Sequence, residues 1–216
     1  MPPLVLFDLG DTLIFREKPL MDFDVELLEK FSGIEKEKVS NVIRKNALIN
    51  QGIYQFSMGG VRIEEEETKN IHDFFEKVFG ELALPIVGLG DFLEEREAEV
   101  RYKVFPRVEE MLALLKSRGY ILGVASNGRP SRRAVLNQLG LKQYFDPDQI
   151  YISDEIGLCK PKVEFFEYIE KKSGFEKFVL GDDEKPVLET AAAQGWTVIE
   201  TGPEKDVYNE VLSILN

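Results

Sequence analysis

The second half of the chain sets the tightest limit on its fold: from Val104 onward, short apolar runs alternate with helical patterns, and several runs break off at polar groups. Apolar spacing predicts a helix over Val108–Ser117 ended by Gly119, then a strand over Tyr120–Ala125 that runs into Ser126-Asn127-Gly128. A helix over Ser131–Leu139 is stopped by Gly140, and Gln149–Ser153 reads as a short strand before a helix over Val163–Ser173. A strand over Phe178–Leu180 ends in Gly181-Asp182-Asp183, and a helix over Pro186–Gln194 leads to a last strand, Thr197–Glu200. Strands separated by helices pair in parallel through right-handed crossovers, so the fold class implied is α/β, a doubly wound parallel sheet. Leu4–Phe7, wholly apolar and cut off at Asp8-Leu9-Gly10-Asp11-Thr12, reads as one more buried strand of that sheet.

Between the first strand and the rest lies a different texture. Apolar spacings near three and four predict helices over Phe23–Phe31, Lys36–Asn50, Glu64–Phe79 and Asp91–Tyr102, punctuated by Gly59-Gly60 and Leu84-Pro85. The expected organisation is a catalytic core of residues 1–14 and 103–216 with a helical cap domain of residues 15–102 inserted. With 216 residues, 44% of them hydrophobic and 31% charged, the chain has apolar material for a compact fold.

Charge narrows the partners. Against 27 basic residues stand 39 acidic ones, a net charge of −12 that disfavours nucleic acid phosphates and anionic membrane surfaces. A small anionic substrate then needs local positive charge or a metal ion. Cys159 is the single cysteine, which excludes an internal disulfide and a cysteine zinc site. The opening MPPLVLF lacks a basic leader and no apolar run approaches the ~18 residues of a membrane span, so a cytoplasmic location is expected.

In sheets of this kind reactive groups gather beyond the carboxyl ends of the strands, where Asp8, Ser126 and Asp182 fall. Four segments in order, Phe7–Leu13 (FDLGDTL), Gly123–Gly128 (GVASNG), Gly157–Lys162 (GLCKPK) and Leu180–Glu184 (LGDDE), make the sequence resemble the haloacid dehalogenase superfamily of phosphatases, phosphonatases, dehalogenases and phosphomutases. The resemblance implies a Rossmann-like core and makes the helical insert look like that group's cap. It also implies Asp8 as a covalent nucleophile, Lys160 as the lysine pairing with nucleophile and phosphoryl group, and the Ser126 hydroxyl and Asn127 amide as holders of the non-bridging oxygens. A Mg²⁺ ion would be bound by the Asp8 carboxylate, the Gly10 carbonyl and the Asp182 carboxylate, with Asp183 and Glu184 holding its waters or orienting the lysine.

Two positions depart from that pattern. The superfamily's phosphatases usually carry a second aspartate two residues after the nucleophile, to protonate the leaving group and activate water; this chain has Gly10 there. Asp11 is the candidate replacement, although a one-residue displacement turns a side chain elsewhere. Val187 stands where a further acid often follows in the last segment. Three functions remain open at this point. They are a Mg²⁺-dependent phosphatase of a small phosphorylated metabolite, a metal-independent 2-haloacid dehalogenase, and a non-catalytic protein that binds or senses a phosphate ligand. The lone histidine, His72, reads as a surface residue, Glu64–Glu67 as a solvated helix face and Trp196 as a packing residue.

Overall fold

A computed structural model describes residues 2–49, 54, 63–99 and 101–215. The chain folds into two compact units: Met1–Phe15 with Tyr102–Asn216 in one, Arg16–Ser57 with Ile63–Arg101 in the other.

The first unit begins with β1 (Leu4–Phe7) and the short β2 (Ile14–Phe15). The second unit holds α1 (Leu20–Ser32), α2 (Lys36–Ile49), α3 (Glu64–Glu81) and α4 (Leu89–Ala98). The chain then returns through β3 (Lys103–Val104), α5 (Val108–Ser117), β4 (Ile121–Ser126), α6 (Arg132–Gln138), β5 (Ile150–Ile152), α7 (Ser153–Ile156) and α8 (Val163–Ser173). It ends with β6 (Phe178–Asp182), α9 (Lys185–Ala193), β7 (Thr197–Glu200) and α10 (Val207–Ile214).

Five strands form one parallel sheet in the order β5-β4-β1-β6-β7. The first strand is therefore central, and the chain winds outward from it in both directions, which puts the topological switch point beside β1. Strand periodicity decides what each face buries. Val5 and Phe7 join Leu122, Val124, Met111 and Val211 in one apolar layer, while Leu4 and Leu6 join Phe165, Phe166, Leu180 and Val187 in the other. A sheet covered on both faces needs strands apolar throughout, and all four residues of β1 are fully buried. Gly123 is glycine for space: a Cβ there would stand 2.3 Å from the Gln149 carbonyl oxygen.

The helical unit has its own core, in which Phe74, Phe75, Phe79 and Phe92 pack with Val25, Leu28, Val39 and Ile43. Glu64–Glu66 are exposed, but Glu67 is buried, so the acidic run at the start of α3 is not solvated throughout. Trp196 stacks on Phe178 with ring centroids 4.6 Å apart, the packing role expected of it.

Several element ends differ from the sequence reading. The fourth inserted helix runs Leu89–Ala98, and Lys103–Val104 instead forms an antiparallel ribbon with Ile14–Phe15. That pairing draws Phe15 and Tyr102 into the first unit, so the units divide at 15/16 and 101/102. Asn50, the expected end of the second inserted helix, lies outside the described residues, as does the Gly59-Gly60 break. Ser153, read as the end of a strand, begins the short helix α7, and β6 extends to Asp182 itself. No helix among the described residues is long and apolar enough to cross a membrane.

Candidate active site

Register brings the polar strand ends together. Phe7 lies level with Val124 on β4 and Gly181 on β6, so Asp8 leaves the sheet beside Ala125 and Asp182, and the Asp8 N–H donates to the Gly181 carbonyl at 2.9 Å. Gly181 keeps that approach narrow: a Cβ on it would meet the Phe7 ring at 2.9 Å.

Lys160 joins the strand ends. Its Nζ donates to Asp8 Oδ1 at 2.8 Å and to Asp182 Oδ2 at 2.5 Å, and all three residues are at least nine-tenths buried. The second Asp182 oxygen accepts from the Glu184 N–H at 2.9 Å. The electrostatics are lopsided. Burial works against the Lys160 ammonium, but Asp8 and Asp182 outweigh it and hold its pKa up at about 12. Burial pushes Asp182 up to about 6 even though Lys160 opposes the rise, and the Asp8 charge adds to it. Half-buried Asp183 also rises to about 6, through burial first and then the charges of Asp8, Asp182 and Asp11. Two carboxyls thus share one ammonium while a third feels their charge, a shortage of positive charge that a cation would relieve.

Lys160 is placed by a contact absent from the sequence reading. The Asn127 side chain accepts from the Lys160 N–H at 2.9 Å through Oδ1 and donates to the Lys160 carbonyl at 2.9 Å through Nδ2. This reciprocal pair ties the end of β4 to the lysine loop. The Asn127 side chain thus spends its oxygen and one of its two amide hydrogens on Lys160, and its backbone N–H remains at the end of β4. Ser126 is almost fully buried at the end of β4 and, among the described residues, its hydroxyl makes a single long 3.5 Å contact to the Asn127 carbonyl. The turn after it is braced by Ser153, whose Oγ accepts from the Gly128 N–H at 3.0 Å. A serine 25 residues away in sequence carries no signal for that contact. Nor does Thr12, whose hydroxyl meets that of Thr201 at 2.7 Å and ties the turn after β1 to the end of β7.

The departures from the superfamily pattern have structural counterparts. Gly10 is half-buried, and Asp11 is exposed with a left-handed backbone (φ 53°), its N–H donating to the Ile14 carbonyl. Among the described residues Asp11 makes no hydrogen bond to Lys160, unlike Asp8 and Asp182, although its charge reaches Asp183. Val187 packs fully buried in the second apolar layer, so that position serves the core. Glu184 is exposed. His72 is exposed on α3 beside Asp73 and Glu76, in the other unit.

The arrangement matches known proteins along most of the chain. The profile of the haloacid dehalogenase-like hydrolases matches residues 2–195. A glyceraldehyde 3-phosphate phosphatase of Methanothermobacter thermautotrophicus is 35% identical over 98 residues, 45% of this chain and 42% of that protein. The match thus spans less than half of that relative's length. The protein of the same name from Methanocaldococcus jannaschii is 27% identical over 86% of this chain and 80% of its own length. Among solved structures, a HAD phosphatase from Thermococcus onnurineus shares the fold with a TM-score of 0.62 at 22% identity, over 100% of this chain and 98% of the other. Dehalogenases share the fold as well. The chain belongs to the haloacid dehalogenase-like hydrolase family.

Proposed function

We propose that this protein is a Mg²⁺-dependent phosphatase of a small phosphorylated metabolite, working through a phosphoryl group carried on Asp8. The observation that carries the reading is the pair of buried carboxylates, Asp8 and Asp182, sharing the single ammonium of Lys160 at 2.8 and 2.5 Å, with Asp183 beside them. Oxygen donors in excess of positive charge fit a hard divalent cation, and Asp8, Asp182 and the Gly10 carbonyl are the residues that would hold it. When bound, Mg²⁺ supplies the charge that lets a carboxylate approach an anionic phosphate.

The chain's own groups account for the remaining steps. Asp8 attacks phosphorus in line and splits hydrolysis into two displacements. Lys160 orients the Asp8 carboxylate and neutralises charge on the transferring group. The Ser126 hydroxyl and the Asn127 N–H hold its non-bridging oxygens, while the Asn127 side chain keeps Lys160 in place. The names of the archaeal relatives support a phosphate monoester as substrate. To the helical unit we assign substrate selection, as an inserted cap.

A 2-haloacid dehalogenase reading has less support. Displacing halide from a neutral carbon creates no need for a cation, whereas this site concentrates carboxylates around one lysine. Hydrolysis of p-nitrophenyl phosphate with and without Mg²⁺, in the wild type and Asp8→Asn, tests the proposal. Mg²⁺-dependent release that Asp8→Asn lacks is expected. Halide release from 2-chloropropionate without metal would establish the dehalogenase instead, and no turnover of either substrate would favour a binding protein.

A further inference from the structure

Gly10 stands beside the nucleophile with room to spare. A Cβ built on it would lie 3.9 Å from Asp8 Oδ2, an ordinary van der Waals separation, and no left-handed φ restricts the position. A side chain here would project next to the reacting carboxylate, and glycine supplies none. Asp8 is hydrogen-bonded to Lys160, and Asp183, just past β6, feels its charge with no hydrogen bond joining the two among the described residues. Lys160 gives its ammonium hydrogens to Asp8 and Asp182 together, and Asp182 is itself held by Lys160 and the Glu184 N–H. Asp11 is exposed, its backbone turned left-handed.

A site with no acid on the residue two after its nucleophile is selective about what can leave. An alkoxide departs only if protonated, whereas a carboxylate, whose conjugate acid has a pKa of ~4, departs as a stable anion. The site has to expel such a carboxylate in any case, because its own intermediate is an acyl phosphate: when water displaces phosphorus from Asp8, the leaving group is the Asp8 carboxylate.

We propose, resting on the reading of Asp8 as nucleophile, that this site takes an acyl phosphate, a phosphoryl group borne on a carboxylate oxygen, in preference to an alkyl phosphate ester. In the first step an Asp8 oxygen bonds to phosphorus as the bond from phosphorus to the substrate's carboxyl oxygen breaks. The electron pair leaves with the substrate carboxylate, and no proton moves. In the second step water bonds to phosphorus, the bond to Asp8 breaks with its electron pair returning to the Asp8 carboxylate, and inorganic phosphate carries off the water's protons. In both steps the leaving group is a carboxylate, so its departure needs no acid at Gly10, and the missing help in activating water falls on every substrate alike.

The test compares kcat/KM of the Mg²⁺-loaded enzyme for acetyl phosphate, glycerol 3-phosphate and glyceraldehyde 3-phosphate, with Asp8→Asn subtracted as background. The expected lead of acetyl phosphate over either alkyl ester is at least about 100-fold, the lower end of what general acid help contributes. A smaller lead overturns the inference. Gly10→Asp should shrink the lead while Gly10→Ala, which adds only the Cβ, preserves it; any other pairing overturns the proton argument. A wider lead in Asp11→Asn or Asp183→Asn would identify that residue as a proton donor and overturn it too. Asp8-dependent turnover without preference defeats this inference alone, and no Asp8-dependent turnover of any phosphate defeats the phosphatase reading with it.

Discussion

Each unit buries a carboxylate against a cation, with opposite outcomes. In the helical unit Asp24 is fully buried and receives Arg96 in a two-pronged pair, Nε to Oδ1 at 2.8 Å and Nη2 to Oδ2 at 2.9 Å, with the Tyr54 hydroxyl donating to Oδ2 at 2.8 Å. Burial works against the Arg96 charge, yet Asp24 more than restores it, and burial together with Asp24 keeps the Tyr54 hydroxyl protonated. In the core unit two carboxylates divide one lysine, and both Asp182 and neighbouring Asp183 are pushed toward protonation. Arg101 adds a second guanidinium 3.9 Å from Asp24, and a buried carboxylate so fully neutralised holds a fold together. An under-neutralised one retains binding capacity for a cation or a substrate, and that difference supports the site proposed around Lys160.

The comparison breaks most visibly at Lys160. Replacing it by Met should lower kcat for p-nitrophenyl phosphate by on the order of 10³-fold, as expected for losing a positioned charge at a reacting group. A variant within tenfold of wild type would remove Lys160 from the chemistry. Next in size is Asp24→Asn, which strips Arg96 of its counter-charge in a buried setting. It should cost about 3–5 kcal/mol in urea unfolding. A loss under 1 kcal/mol would mean that the Asp24–Arg96 contact does not hold the helical unit together.

Metal sharpens the contrast. Mg²⁺ at a hundred times its Kd should stabilise the wild type by about 2.7 kcal/mol, read as a rise in Tm. Asp182→Asn should abolish that rise and Asp24→Asn should keep it. The smallest expected effect concerns pH. In metal-free protein Asp183 holds its proton more tightly folded than unfolded, with a pKa of about 6 against an ordinary 3.8. Its contribution to stability is therefore complete below pH ~4 and is lost as pH rises through ~6. Chelated wild type should lose up to ~1 kcal/mol relative to Asp183→Asn across that window, a figure kept small because the group is partly solvated. An opposite trend would contradict the assigned shift.

The alternating texture after Val104 made the sheet legible because strands covered on both faces are apolar throughout, and Asp8, Ser126 and Asp182 were legible because each ends such a run. The short β2–β3 ribbon was not, since two-residue strands carry no periodicity. The Asn127 clamp on Lys160 joins groups 33 residues apart through a backbone amide, which every residue possesses, so no pattern of side chains announces it. The Asp24–Arg96 pair, 72 residues apart within two amphipathic helices, was hidden for the related reason that either residue alone reads as solvated.

The central claim is that Asp8, in the under-neutralised cluster, carries the phosphoryl group. Acid-quenching the Mg²⁺-loaded enzyme during turnover of p-nitrophenyl phosphate and weighing the peptide that contains Asp8 tests it directly. One added phosphoryl mass on that peptide is expected, dependent on Mg²⁺ and absent from Asp8→Asn. An unmodified peptide from an enzyme that is turning over, with Asp8→Asn still active, would contradict it.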